Sequence, residues 1–373
     1  MNKIILFVDN STRCFCIFRL PIAIALKSKG YKVYVASPPP YDYYNEIFKE
    51  NEIHHIPYEI GSKLSPLSDL KLCKFYFNLY KKIKPDFIIH YTIKPNIYGS
   101  IAARLLNIKT LAVVPGTGSV FKKKGLLSKI VTLLYKIAFS FPQKVWVLNN
   151  DDLQAFLKRK ILNLNRIEIL PGEGVNVNYY SASLNYHKNE KFIFLYMGRM
   201  LREKGVEYLA KSSFYLRDRG VKSFEIRLLG LTDGLSEDVI SMEEINKWEK
   251  QGLLKYLGSN PDVREFIEGS DCIILPSFYG EGIPRSLMEA SSMRKPILTT
   301  DNVGCRDIVE DGVNGLLCKS QDVEDLASKM LKMINLSEAE LIKMGENGRN
   351  IVLTKFDESI IIDKYINEIQ TIS

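Results

Sequence analysis

Cys272-Ile273-Ile274-Leu275-Pro276-Ser277-Phe278-Tyr279-Gly280-Glu281-Gly282-Ile283-Pro284-Arg285-Ser286-Leu287-Met288-Glu289-Ala290 runs from four apolar residues, through a turn rich in glycine, into a stretch headed by proline. The apolar run is short and bounded by turn residues, so it reads as a strand buried on both faces. The stretch beyond the turn reads as a helix beginning near Pro284, because proline suits the first helical turn. A strand giving way to a glycine turn and a helix start is the ligand-binding end of an open α/β sheet. There the first-turn N–H groups and the helix dipole favour an anion.

The same alternation extends in both directions. Strands are predicted at Phe192–Met197, Glu225–Leu229, Lys255–Leu257, Cys272–Pro276 and Pro296–Thr300, and earlier at Ile4–Asp9, Lys32–Ser37, Asp86–Tyr91, Leu111–Val114 and Lys144–Leu148. Helices such as Pro21–Lys29 and Asp69–Ile83 separate them, which is the signature of βα repetition and a parallel sheet. A chain of 373 residues exceeds one ordinary core. The pattern therefore predicts an α/β protein of two doubly wound domains, residues 1–177 and 178–356. A linker is expected over Gly172–Asn189, where regular apolar spacing lapses. The terminal helix, Asp357–Ile369 within 357–373, is expected to pack back on the first domain.

A hydrophobic content of 46% with 25% charged residues excludes disordered and fibrous classes. Charge is divided unevenly: residues 1–180 hold 26 Lys and Arg against 12 Asp and Glu, and the remainder 25 against 31. Between Phe87 and Asn150 there is no carboxylate, while Lys94, Arg104, Lys109, Lys122, Lys123, Lys124, Lys129, Lys136 and Lys144 fall there. An anionic partner is expected on that side. The six cysteines and four histidines show no metal-ligand spacing, so no metal site is expected. Met1 runs almost at once into Ile4–Val8, and no stretch reaches the roughly 20 apolar residues of a membrane span, so a cytoplasmic protein is expected.

A second informative stretch is Gly198-Arg199-Met200-Leu201-Arg202-Glu203-Lys204-Gly205, again where a strand yields to a helix. A flexible glycine beside several cations suits a diphosphate. Glu281 precedes the later helix and can accept from sugar hydroxyls. Glu289 lies more than a turn inside it among apolar neighbours, and its carboxylate can take both hydroxyls of a ribose. Taken together, Gly198-Arg199 through Lys204-Gly205, then Glu281 and Glu289 within Pro-Ser-x3-Glu-Gly-x-Pro-x3-Met-Glu-Ala, then Lys295-Pro296-Ile297 and Asp311-Gly312-Val313-Asn314-Gly315-Leu316-Leu317, resemble the retaining glycosyltransferase family 4 of the GT-B fold.

That resemblance implies two Rossmann-like domains facing across a cleft. It implies that Arg199 and Lys204 neutralise the donor diphosphate, that Glu281 contacts the donor sugar and Glu289 the ribose. Gly198 and the backbone of Gly282, Ile283, Pro284, Arg285, Ser286 and Leu287 would hold the phosphates, Pro284 having no N–H to offer, with the base near Leu257–Val263. The donor would be a UDP-sugar, with no cofactor and no nucleic-acid partner.

The first half speaks to the acceptor. His90-Tyr91-Thr92-Ile93-Lys94-Pro95-Asn96-Ile97-Tyr98-Gly99-Ser100 and Pro115-Gly116-Thr117-Gly118-Ser119 each follow a strand. With Phe18-Arg19-Leu20-Pro21, they are similar to the branch that adds N-acetylhexosamines, GalNAc or GlcNAc, to polyprenyl-diphosphate-linked saccharides for surface polysaccharide or glycoprotein assembly. This similarity makes Arg19, Lys94, Asn96, Gly116, Thr117, Gly118 and Ser119 acceptor-binding candidates. Independently, Leu126–Phe141 reads as an amphipathic helix with Leu127, Ile130, Leu134, Ile137 and Phe141 on one side and Lys129 and Lys136 on another. Preceded by Lys122, Lys123 and Lys124, it could lie on an anionic membrane surface, placing the enzyme peripherally at the inner face of the cell membrane; the other reading is a core helix of the first domain.

In the expected chemistry, charge grows on the leaving diphosphate as the anomeric bond breaks, and Arg199, Lys204 and the helix amides stabilise it. No carboxylate pair is arranged as in glycosidases, so Glu281 is a positioning group. The alternatives are a nucleotide-sugar 2-epimerase, which would act without acceptor, and a non-catalytic nucleotide-sugar-binding protein, which would form no product. An NAD enzyme is disfavoured because the first strand leads into Asp9-Asn10-Ser11-Thr12, without G-x-G-x-x-G.

Overall fold

Strand-forming runs with apolar side chains on both faces can be buried only between helical layers, and that requirement shapes both halves of the chain. The computed structural model describes residues 3–39, 42–61, 65–116, 125–182, 189–232 and 238–372. The chain divides into two compact units, Met1–Glu173 with Glu358–Ser373, and Gly174–Asp357.

The first unit carries β1 (Ile4–Val8), β2 (Lys32–Ser37), β3 (His54–Pro57), β4 (Phe87–Tyr91), β5 (Lys109–Val114), β6 (Lys144–Val147) and β7 (Ile167–Ile169). They form one sheet in the order β3-β2-β1-β4-β5-β6-β7, with every pairing parallel. Alternate side chains feed two core layers. Phe7, Val35, Ile89, Val113 and Trp146 pack with helices Leu20–Ser28 and Glu358–Ile372. Leu6, Val8, Ile88, Ala112 and Val145 pack with helices Pro66–Ile83, Ser100–Leu105 and Leu126–Ala138. The terminal helix is anchored by Tyr365, whose ring lies edge-on to Trp146 with centroids 4.9 Å apart.

The second unit carries β8 (Phe192–Met197), β9 (Phe224–Leu229), β10 (Lys255–Tyr256), β11 (Cys272–Leu275), β12 (Ile297–Thr300) and β13 (Gly315–Cys318), again all parallel, in the order β10-β9-β8-β11-β12-β13. Each sheet reverses its winding once, between β1 and β4 and between β8 and β11. The loops leaving those strands flank the crevice where open α/β sheets take ligands.

Three strands lie outside the sequence reading: β3, β7 and β13. Each sits at a sheet edge and lacks a run of four apolar residues, being His54-His55-Ile56-Pro57, Ile167-Glu168-Ile169 and Gly315-Leu316-Leu317-Cys318. The linker expectation also needs correction. The Val175 N–H donates to the Phe356 carbonyl, Arg349 donates to the carbonyls of Val177 and Tyr180, and the side chains of Val175, Val177 and Tyr180 are all buried in the second core. The change of unit therefore falls at Glu173, and residues after it are already part of the second body. Among the described residues no helix is long and apolar enough to cross a membrane.

Candidate active site

In the second unit the two motifs leave the two strands beside the switch point. Met197 ends β8, the Gly198 N–H donates to Leu229 O, and a short turn, Arg202–Lys204, precedes helix Val206–Asp218. Pro276 follows β11, and helix Arg285–Ser292 begins after Pro284. The loops are locked together. Gly205 has φ of +83° and approaches so closely that a Cβ there would stand 2.1 Å from the Pro276 carbonyl oxygen, so only glycine fits. The N–H groups of Phe278 and Tyr279 both donate to Glu203 O.

This locking brings Lys204 and Glu281 into a half-buried ion pair, with Ser277 Oγ donating to the same Glu281 oxygen at 3.0 Å. Arg199 lies on the surface beside them, and the Tyr196 hydroxyl donates to its carbonyl at 2.7 Å. Leu287 is buried, while Gly282, Ile283, Arg285 and Ser286 are half-buried. The first N–H groups of this helix lie ahead of its hydrogen-bond ladder, where an anion is favoured, but that of Leu287, expected to hold a phosphate, already donates to the Pro284 carbonyl at 3.1 Å. Inside the helix, Glu289 is buried and accepts from Arg285 Nε at 2.8 Å and from the Tyr180 hydroxyl. Burial raises its carboxyl above the ordinary value, and Arg285 and Tyr180 oppose that rise. Tyr180 carries no signal in the sequence: it lies within the stretch taken for linker, and its carbonyl is fixed by Ser292 Oγ at 2.6 Å. Val263, by contrast, caps the short helix Arg264–Glu268 beyond β10, which β9 separates from β8.

The first unit places its candidates differently. Arg19 ends a widened π-type turn, Phe15–Arg19, and is buried between Glu173 and Asp9, its guanidinium 4.4 Å from the centroid of the Tyr91 ring. Burial alone would lower the affinity of this guanidinium for its proton, but the two carboxylates reverse that and raise it. Asp9 is raised by burial in spite of Arg19. Lys94 donates to Asp69 Oδ1 at 2.8 Å, and Tyr98 donates to Asp69 Oδ2 at 3.0 Å. Asn96 is buried, its Nδ2 donating to Val113 O at 2.7 Å. Gly116 follows β5 and is half-buried. Thr117, Gly118, Ser119, Lys122, Lys123 and Lys124 lie outside the described residues. Lys129 and Lys136 are exposed on helix Leu126–Ala138. Among the described residues no cluster of His, Cys, Asp and Glu could hold a metal ion.

Comparison with known proteins gives two family matches that together span most of the chain. Residues 3–149 match the family described as glycosyl transferase 4-like, and residues 184–351 match glycosyl transferases group 1. The chain is 28% identical over 366 residues to the N,N'-diacetylbacillosaminyl-diphospho-undecaprenol alpha-1,3-N-acetylgalactosaminyltransferase of Campylobacter jejuni, covering 94% of this chain and 93% of that one. It is 24% identical over 314 residues to an Escherichia coli UDP-Gal:alpha-D-GlcNAc-diphosphoundecaprenol alpha-1,3-galactosyltransferase, covering 81% and 79%. In fold it matches the Anabaena protein HepE, solved in complex with UDP, with a TM-score of 0.80, 18% identity and full coverage of both chains.

Proposed function

The chain belongs to family 4 of the glycosyltransferases, with the GT-B fold, and from that premise we propose that it moves an N-acetylhexosamine from UDP to a saccharide carried on a polyprenyl diphosphate, with retention at the anomeric carbon. The observation that carries this reading is the meeting of Lys204, Glu281 and the start of helix Arg285–Ser292 at the switch point of the second sheet. A diphosphate there gains a cation and the positive end of a helix on the side where charge grows as the bond from C1 to the phosphate oxygen breaks. Once the donor is bound, the Lys204 ammonium is within reach of phosphate, and Glu281 is left to orient sugar hydroxyls. Arg199 adds a second cation, and Glu289, held by Arg285 and Tyr180, receives the ribose. The acceptor hydroxyl then bonds to C1 from the face the phosphate leaves, passing its proton to the departing phosphate oxygen. The alpha linkages in the names of the two relatives, one of them with a UDP-sugar donor, support retention and the lipid-linked acceptor class.

A lipid-linked acceptor places the enzyme at a membrane surface, and the outer side of the helical layer over β1, β4, β5 and β6 suits one. Leu67, Leu70, Leu105, Ile130, Leu133 and Ile137 are exposed there. Lys71, Lys74, Arg104, Lys129 and Lys136 are exposed alongside. Asp69, the one carboxylate in these three helices, is turned inward against Lys94. The apolar stripe therefore differs from the expected one: Val131, Tyr135 and Ala138 face the core and Leu134 is half-buried, whereas Ile130, Leu133 and Ile137 face out. Cationic residues beside exposed aliphatic ones favour an anionic leaflet, each Lys near the surface contributing about 1 kcal/mol.

Incubation of the protein with UDP-sugars and synthetic polyprenyl-diphosphate saccharides, with products read by mass spectrometry, tests the reading. Transfer of an N-acetylhexosamine to the lipid-linked saccharide is expected. Donor conversion without acceptor would instead indicate an epimerase, and donor binding with no product a sensor.

A further inference from the structure

The segment after β4 is unusual in three respects that the donor chemistry does not use. Thr92 has φ of +67°, in the left-handed region. A side chain branched at Cβ crowds the backbone there, so this is a strained position for threonine. Other described non-glycine residues with positive φ have ordinary reasons. Glu52, Lys84, Asn107, Lys160 and Arg294 fall just past helix ends, where a left-handed residue closes the last turn, and Gln321 lies in the turn before helix Val323–Ile334. Thr92 follows a strand and is the β-branched member of the set.

The second respect is polar burial. The Thr92 hydroxyl is buried without a hydrogen-bond partner among the described residues, as are His90 Nδ1, Asn96 Oδ1 and Ser100 Oγ on the same segment. Folded proteins leave few such atoms unsatisfied, and four within eleven residues, running from the end of β4 through the turn to the start of helix Ser100–Leu105, call for a reason. The third is the backbone itself. Pro95–Gly99 forms a π-type turn, and among the described residues the other one is Phe15–Arg19, after β1, so both flank the same switch point. Such turns occur frequently at functional sites. The segment is also tightly held, because a Cβ on Gly99 would stand 2.6 Å from the His90 ring.

Glycine or asparagine would make the turn at Thr92 without the steric penalty. What threonine adds is a hydroxyl, fixed at the carboxyl end of β4 in the unit that does not carry the donor motifs. Strain of this kind persists where the surrounding structure enforces it and is drawn to ligand sites. We infer that Thr92 is an acceptor-contact residue, its hydroxyl hydrogen-bonding a hydroxyl of the acceptor saccharide, an assignment that rests on the proposed transfer to a lipid-linked sugar. In this arrangement the neighbouring Lys94 and Asn96 shape the loop through Asp69 and Val113, and Thr92 meets the sugar.

The test compares wild type with Thr92→Val, which keeps the branch and loses the hydroxyl, and Thr92→Ser, which keeps the hydroxyl. Donor KM, acceptor kcat/KM and thermal midpoint are measured with a UDP-N-acetylhexosamine and the polyprenyl-diphosphate saccharide that wild type uses. Thr92→Val is expected to lose about tenfold in acceptor kcat/KM with donor KM unchanged, and Thr92→Ser to stay near wild type. Thr92→Ala provides the same loss of hydroxyl with less crowding should the valine variant fail to fold. An active wild type matched by both the Val and Ala variants overturns this inference while leaving the functional reading intact. A wild type inactive on every lipid-linked acceptor overturns both.

Discussion

The two units wind their sheets in the same order, and each presents two loops beside its switch point, yet those loops treat charge in opposite ways. In the second unit Arg199 is exposed and Lys204 meets Glu281 in a half-buried pair. In the first unit Arg19 is enclosed by Asp9 and Glu173, and Lys94 is held by Asp69. The contrast teaches that an exposed cation such as Arg199 is open to a ligand, whereas one enclosed between two carboxylates, as Arg19 is, is not. An enclosed pair is costly to break, whereas a half-open pair can exchange its partner for a phosphate.

The largest effect that would separate the two regions is on stability. Arg19→Met leaves Asp9 and Glu173 buried without their cation, and unfolding followed by the fluorescence of buried Trp146 should show a loss of about 3–5 kcal/mol. A loss below about 1 kcal/mol would erase the distinction, since that is what an exposed pair is worth. On the donor side the expected effect is catalytic: Lys204→Ala and Arg199→Ala should each lower kcat by about 10² or more while the melting temperature holds. Near-normal turnover in both variants would remove their assigned role.

A smaller effect sharpens the donor side further. Tyr180→Phe removes one of the two groups that hold Glu289, so donor KM should rise about fivefold with kcat little changed. The rise should shrink for a 2'-deoxyuridine donor, whose ribose offers Glu289 one hydroxyl. An equal rise for both donors would mean that Tyr180 serves packing alone.

The same contrast explains what the sequence made legible. The donor loops could be read because glycine, cation, proline and acid lie within two contiguous stretches, 198–205 and 276–290, each fixed by local backbone geometry. The first unit could not be read this way, because what decides the state of Arg19 is Glu173, 154 positions away, and what decides that of Lys94 is Asp69, on an earlier helix. Tyr180 escaped notice for a related reason: a polar, irregular stretch resembles a linker until Val175 and Val177 are seen to be buried. The backbone angle of Thr92 leaves no mark in residue spacing at all. Edge strands β3, β7 and β13 lack the continuous apolar run that marks the central strands, which are apolar on both faces.

The most direct test of donor binding in the second unit is a crystal structure of the protein soaked with UDP. The diphosphate is expected within hydrogen-bond distance of Lys204 and the first-turn amides of helix Arg285–Ser292, with both ribose hydroxyls on the Glu289 carboxylate. UDP seated elsewhere, with Arg199, Lys204 and Glu289 making no contact to it, would contradict the assignment.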